Sequence, residues 1–568
     1  MPTMTGSRCL AEMIKGYGVT HVFFVPAVFW PAMAIMDDLG ITPVATHSEL
    51  AAAYMADGYA RACYRPGVCF AQAVGATNLA AGLREPYLGC SAVVAMNGGP
   101  QPEWRYRRLY QEVEDLPIFE AVTKFNARVE RVERLPDLLR QAFRVATTGK
   151  PGPAHLEVPG RLGQSIEVEA DLNCAAEEQF SYYPAYRPEA EITQLRQALQ
   201  LLYRAERPVI LAGGGASGSC AAPEVVALAE VLSIPVATSL NGKQVIPDDH
   251  PLSLGVIGTY GRWGANQAVA QADLIFIVGS TLGGHVTDNW KLPSQGTVAI
   301  QLDIDPEEIG RNYPVEVGLL GDACMTLGRL LVEVDRLATR KEAWARQARS
   351  LVDEWKRSLA PLAASDRSPI RPERLCREIS EFLPEGAVVV SDTGHAAIWS
   401  GTMIDLTRPN QRYIRCAGTL GWGFPGALGV KCALPDRPVL CFTGDGGMYY
   451  YISELETAAR MGIKTVTVVN NNGSLNQTKS GWDAAYGGQS RGHAQDVWVF
   501  RSTDFAAVAE AMGCLGIRVE KPEDIRPALE RAFAADRPAL LDVQTDIEAF
   551  PPDPWQKGTE GTSGRGER

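Results

Sequence analysis

The residues best suited to chemistry lie in two glycine-containing segments of the last third of the chain. Val439-Leu-Cys-Phe-Thr-Gly-Asp-Gly-Gly-Met448 reads as a buried strand ending in Gly-Asp-Gly, and the next strand ends in Asn470-Asn-Asn-Gly-Ser474. A hard divalent cation such as Mg²⁺ takes oxygen ligands in an octahedron and shares it with water and phosphate oxygens. Asp445 can supply a charged oxygen, the Asn472 amide a neutral one and the Ser474 backbone carbonyl a third. Gly444, Gly446 and Gly447 would let the chain turn sharply and approach a phosphate, with the following helix presenting free N–H groups. The chemistry expected is a diphosphate anchored through a metal. Gly-Asp-Gly by itself is equally an ordinary turn. The specific signal is the combination of strand, helix, second strand and asparagines.

A second candidate is Glu49, in Thr46-His-Ser-Glu-Leu-Ala-Ala-Ala-Tyr-Met-Ala-Asp-Gly-Tyr-Ala-Arg61. It follows an expected strand, 41–45, and opens a helix rich in Ala and Met. A carboxyl there can share a proton with a bound base. An acidic residue in a first helical turn is also favoured by the helix dipole alone.

Parallel α/β layers must position these groups. From Gly18 to about Pro159, short apolar runs (21–25, 68–73, 92–95, 154–158) alternate with helical stretches. An acidic, Pro-containing passage over 160–191 reads as a linker. A second unit opens at Pro208-Val-Ile-Leu-Ala-Gly-Gly-Gly215, with strands expected at 234–237, 274–278 and 298–304. A third starts near Arg374, with strands at 387–391, 438–442, 464–469 and 538–543. The fold expected is three doubly wound parallel-sheet α/β domains, over 1–165, 190–335 and 370–550. Residues 556–568 have almost no apolar content and read as a disordered tail.

Composition removes other classes. The net charge of −12 and the absence of a basic stripe exclude a nucleic-acid or anionic-membrane partner, and no apolar run is long enough to span a bilayer. The N-terminus lacks the pattern of a secretory signal, so a cytoplasmic location is expected. The 12 cysteines are scattered without a C-x-x-C pair and read as reduced and mostly buried.

Taken in order from about Glu12 to Ile547, these motifs resemble the thiamine diphosphate (ThDP) enzymes of the acetolactate synthase-like family. The resemblance implies a pyrimidine-binding, a central and a diphosphate-binding domain. It implies ThDP and Mg²⁺ as cofactors, with Glu49 as the glutamate that activates the pyrimidine ring. Arg415-Cys-Ala-Gly-Thr-Leu-Gly-Trp-Gly-Phe-Pro-Gly-Ala-Leu-Gly429 resembles the segment that bends the cofactor, with Leu420 as wedge and the Gly418 carbonyl accepting from the 4′-amino group. Asp392-Thr-Gly-His395 resembles the diphosphate loop through Gly394 and His395, although the family's Gln-His pair is here His395-Ala396. Gly75-Ala-Thr-Asn78 and Tyr110-Gln-Glu112 resemble partner-facing loops, which assigns Gly75 and Asn78 to the cofactor and Gln111 to catalysis. A homodimer or homotetramer with sites between subunits is implied.

The chain also departs from biosynthetic acetolactate synthases. Pro26-Ala-Val-Phe-Trp-Pro31 replaces a Gly-rich loop and could narrow the pocket with Val28, Phe29 and Trp30. Gly279-Ser-Thr-Leu-Gly-Gly-His285 lacks the substrate- and flavin-binding arginine, and Trp104-Arg-Tyr-Arg-Arg108 is atypical. FAD remains an open cofactor: 213–215, 238–242, 303–305 and 321–322 resemble its contacts but are also ordinary scaffold loops. The leading expectation is a carboligase that decarboxylates a small 2-oxo acid and adds the remaining unit to a second carbonyl. The alternatives are simple decarboxylation, cleavage of a 1,2-diketone, or a non-catalytic cofactor-binding subunit. The segment 475–491, with Trp482, is expected to be a loop closing over the cofactor.

Overall fold

A computed structural model describes residues 2–335, 338–489 and 491–557. Most of the tail expected at 556–568 lies outside the described residues. Three six-stranded parallel sheets, each with helices packed on it, make up the chain.

In the first sheet the strands run Thr42–Ala45, His21–Phe24, Gly67–Ala71, Val93–Gly99, Ala154–Pro159 and Phe125–Arg128. The second orders Ser253–Val256, Val236–Thr238, Pro208–Ala212, Leu274–Val278, Val298–Asp303 and Val317–Leu320. The third orders Arg412–Arg415, Val388–Ser391, Val439–Gly444, Val466–Asn471, Ala539–Gln544 and Leu515–Val519. Within each sheet the order reverses next to the first strand of the unit, as in doubly wound folds that bind ligands at the carboxyl ends of their strands.

Within the three six-stranded sheets, the strands absent from the sequence reading (Phe125–Arg128, Ser253–Val256, Val317–Leu320, Arg412–Arg415 and Leu515–Val519) all lie at sheet edges. Edge strands mix polar and apolar residues, whereas interior strands of a parallel sheet are covered on both faces and read as apolar runs.

The first and third domains share one core. Helix Glu49–Cys63 lies along helix Gly423–Ala433, and a Cβ at Gly58 would overlap the Gly426 backbone while one at Gly429 would overlap that of Met55. The Ala- and Gly-rich composition of both helices is what this close backbone approach requires.

The 160–191 linker is tied down. Glu169–Asp171 pairs antiparallel with Thr3–Thr5, and Cys9 and Cys174 form a disulfide pair. The reading of reduced cysteines is corrected for these two, which local spacing could not bring together. Among the described residues no helix is long and apolar enough to cross a membrane.

Candidate active site

Strands Val439–Gly444 and Val466–Asn471 are neighbours, with Gly444 opposite Asn470, so their carboxyl ends bring the two motifs together. Asp445 is 3% exposed, and its Oδ2 has no hydrogen-bond partner. Burial pushes its carboxyl up to about 7, against the opposing effect of the Gly446 and Ser474 backbone N–H groups. Asn472 Oδ1 accepts from the Ser474 N–H at 3.1 Å and from its hydroxyl at 3.0 Å, closing a turn around Gly473 at φ +68°. The three glycines of 444–447 serve differently from the sequence reading. None has positive φ; instead a Cβ at Gly447 would sit 2.6 Å from Asp392 Oδ2 and one at Gly446 2.5 Å from Leu475, while Gly444 faces open space. Gly446 and Gly447 thus permit close approach rather than a sharp turn.

Across this floor lies Gly394, at φ +69°, which starts helix His395–Met403. Burial lowers the His395 imidazole to about 4, so the ring is neutral, and its Nδ1 has no partner. The Gln477 amide donates to the Tyr260 hydroxyl at 2.8 Å and its oxygen sits against Gly394. The segment 475–491 contains helix Lys479–Ala485, so it is not the continuous loop expected.

Gly418 is exposed and Leu420 half-buried, on a loop fixed from beneath by two carboxylates that sequence reasoning did not single out. Asp392 accepts from the Gly421 N–H at 3.0 Å and from Thr443 Oγ1 at 3.1 Å, and burial raises it to about 6. Glu85, fully buried, accepts from the Ala417 and Thr419 N–H groups and from Arg61. Its one visible signal is an acidic residue on the apolar face of helix Ala76–Leu88.

Glu49 opens its helix under a Ser48 cap. Only 8% exposed, it accepts from Asn78 Nδ2 at 3.1 Å. A Cβ at Gly75 would overlap Glu49 Oε1, so Gly75 shapes the carboxylate's pocket and Glu49, Gly75 and Asn78 form one cluster. Gln111 stands apart on the 101–115 loop in a left-handed conformation, φ +64°, with a buried Oε1 that has no partner. Among the described residues no hydrogen bond or ion pair joins the Glu49 cluster to Asp445 or Asn472.

Three family models cover most of the chain: the N-terminal TPP binding domain of thiamine pyrophosphate enzymes over residues 4–118, their central domain over 195–330 and their C-terminal TPP binding domain over 392–543. A probable acetolactate synthase large subunit of Methanocaldococcus jannaschii is 33% identical over 96% of this chain and 93% of its own length. The acetolactate synthase large subunit of Haemophilus influenzae is 30% identical, over 96% and 95% of the two chains. The isozyme 3 large subunit of Escherichia coli is 28% identical, over 96% of each. The chain belongs to the thiamine pyrophosphate enzymes, on the acetolactate synthase large-subunit branch. It is a thiamine diphosphate-dependent enzyme of carbon–carbon bond chemistry.

Its residues fit the cofactor and metal of this family. Asp445 offers an unpartnered buried oxygen, Gly444 and Gly418 leave open space, and among the described residues no His/Cys/Asp/Glu cluster competes for a metal. A single carboxylate with amide and carbonyl oxygens suits Mg²⁺, which keeps part of its shell for phosphate and water.

Within the family's pocket loop, one expectation is reversed. Val28 and Phe29 turn into the core, fully or almost fully buried, with Phe29 edge-on to Phe70 at 5.3 Å. This forces φ +129° on Ala27 and +49° on Phe29, conformations that L-residues rarely adopt. Of Val28, Phe29 and Trp30, it is Trp30, 60% exposed, that faces outward.

Proposed function

We propose that this chain is a ThDP- and Mg²⁺-dependent carboligase acting on a small 2-oxo acid such as pyruvate, working in the cytoplasm as a homodimer or a dimer of dimers. The observation that carries the reading is the buried, unpartnered carboxylate oxygen of Asp445 beside the Asn472–Ser474 turn. When bound, ThDP supplies a nucleophilic thiazolium carbon that adds to the keto group and accepts the electrons released with CO₂. Asp445, Asn472 and the Ser474 carbonyl would hold the metal. Gly394, His395 and the backbone of 444–447 would receive the diphosphate. Leu420 and the Gly418 carbonyl would fix the bend of the cofactor, and Gly75 and Asn78 would orient Glu49. Glu49 would hold the proton exchanged with N1′ of the pyrimidine, and Gln111 would face the reacting carbonyl. The acetolactate synthase names of the relatives support ligation to a second carbonyl over release of an aldehyde.

Val74, exposed, adjoins Gly75 of the Glu49 cluster, and Trp30, also exposed, follows strand His21–Phe24, the sheet neighbour of the strand leading to Glu49. Their apolar surface supports a second copy covering it, with Glu49 of one subunit serving the metal site of the other. FAD would belong in the central-domain cavity beside Gly214, Gly215, Asp303 and Asp322. The visible absorbance of the purified protein reads that cofactor directly.

The test is CO₂ release from a panel of 2-oxo acids by protein loaded with ThDP and Mg²⁺, followed by product analysis with an added aldehyde or ketone acceptor. Ligated product is expected, and Glu49→Gln should cut turnover by ~10²–10⁴-fold, the usual worth of a positioned acid–base group. Release of CO₂ from none of the panel would remove the reading.

A further inference from the structure

All three domains meet around a cavity of about 270 Å³. Tyr64 and Cys90 line it from the first domain, Gly215, Asp303 and Asp322 from the second, and Arg415 from the third. Arg415 ends the edge strand Arg412–Arg415. Alternation places it on the face of Tyr413, opposite Arg412 and Ile414.

Nearby arginines all have partners. Arg61 pairs with Asp57 and Glu85, Arg262 with Asp248 and Asp405, and Arg412 donates to the Ala62 and Arg61 carbonyls and the Tyr64 hydroxyl. Arg415 is different. It is 7% exposed, its Nε has no hydrogen-bond partner, and among the described residues it forms no ion pair. A guanidinium cannot escape burial by losing its proton. A buried cation without a counter-charge is strongly unfavourable unless something else neutralises it. The space it borders is open, and guanidinium is the side chain best matched to phosphate and carboxylate oxygens.

We propose that Arg415 is an anion-binding residue that receives an oxyanion entering this cavity. Two sources share that chemistry. One is the phosphate of an adenine nucleotide whose ribose hydroxyls would meet Asp303 or Asp322 in the same cavity. The other is the carboxylate of the reacting 2-oxo acid; Tyr260, a neighbour of Arg415, accepts from Gln477, whose amide oxygen sits against Gly394. The substrate source rests on the proposed 2-oxo acid chemistry; the nucleotide source does not.

The experiment uses full-length protein saturated with ThDP and Mg²⁺, as wild type, Arg415→Met and Arg415→Lys. Calorimetric titration with ADP, FAD and adenosine is read beside kcat and KM for pyruvate and the melting temperature. If a phosphate is the ligand, Arg415→Met should bind ADP or FAD at least about tenfold more weakly with adenosine binding unchanged, and Lys should restore part of the loss. If the substrate carboxylate is the ligand, KM for pyruvate should rise at least about tenfold with kcat nearly unchanged and nucleotide binding intact. In both cases Arg415→Met should melt no lower than wild type before ligand is added, because it removes an unpaired buried charge, whereas an arginine with a merely structural role would melt lower. If Arg415→Met does not fold, Arg415→Lys and protection of the wild type against melting by inorganic diphosphate give the same readings. The proposal is overturned if neither nucleotide affinity nor KM moves. A protein that releases CO₂ from no 2-oxo acid yet loses ADP affinity on substitution would refute the proposed function and leave this inference standing.

Discussion

Asp445 sets one carboxylate oxygen against backbone N–H groups and leaves the other bare in a site that is almost closed to water. Burial opposes ionisation there, so under the proposed metal role a cation would compete with the proton for one atom. Asp445→Asn should therefore weaken Mg²⁺-dependent ThDP binding by at least ~100-fold, since changes one shell further out already cost 10–100-fold; titration of ThDP at fixed Mg²⁺ measures it. The native carboxyl lies at about 7 against 3.8 for a free one, so the metal-free native state holds the extra proton across that window. Stability of the metal-free protein, taken as wild type minus Asp445→Asn, should fall as pH rises from about 4 to about 7 and then level off. The gain from Mg²⁺ and ThDP should grow over the same range, and EDTA should abolish it. A flat difference would remove the assignment. What was legible around Asp445, Asn472 and Glu49 is their placement, two motifs at the carboxyl ends of strands that prove to be neighbours and a glutamate opening a helix after a strand, because those local contexts are distinctive. Glu85 and Asp392 were not, because their partners are backbone N–H groups of a loop remote in sequence.

Helix Ala76–Leu88 shows how one element carries two tasks. Its first turn delivers Asn78 to Glu49, and its last turn delivers Glu85 to the loop that bears Gly418 and Leu420. Glu85→Ala would leave Arg61 short of one partner and two loop N–H groups unsatisfied in a buried setting, which is expected to cost ~3–5 kcal/mol. Glu85→Gln keeps an acceptor oxygen and should cost less. Urea denaturation gives the stabilities, and the ThDP concentration dependence of the rate should show a raised cofactor requirement in both variants. Unchanged stability and cofactor requirement in Glu85→Ala would show that the loop holds itself. The same scale explains what was readable in the fold. Val68 to Ala71, Leu274 to Val278 and Val439 to Phe442 are apolar on both faces because helices cover both, so strand and sheet type could be read from them. Arg412–Arg415 could not, because an edge strand is specified by the neighbour it joins and by the domains packed beyond it.

At the scale of the whole molecule, sequence motifs gave three similar units but not which unit packs on which. The shared core of the first and third domains comes from helix faces whose Ala and Gly residues carry no partner label. Within one chain, that core holds the Glu49 cluster and the Asp445 site in fixed positions without a direct polar contact between them. Exposed Val74, next to Gly75 of that cluster, and exposed Trp30, on the loop after strand His21–Phe24, would be covered if a second copy packs on this end of the first domain; the alternative is that each chain completes its own site. Mixing two inactive variants separates the possibilities. A hybrid of one Glu49→Gln chain and one Asp445→Asn chain, if sites lie between subunits, contains one site with both native residues and one with neither. Random re-pairing of equal amounts makes half of the dimers hybrid, so activity should recover to about a quarter of wild type in a symmetric dimer. If each chain completes its own site, every site in the mixture lacks one residue and no activity returns. Dilution of wild type below its dimer dissociation constant should abolish turnover in the first case, with ThDP shifting the association equilibrium toward the dimer by mass action.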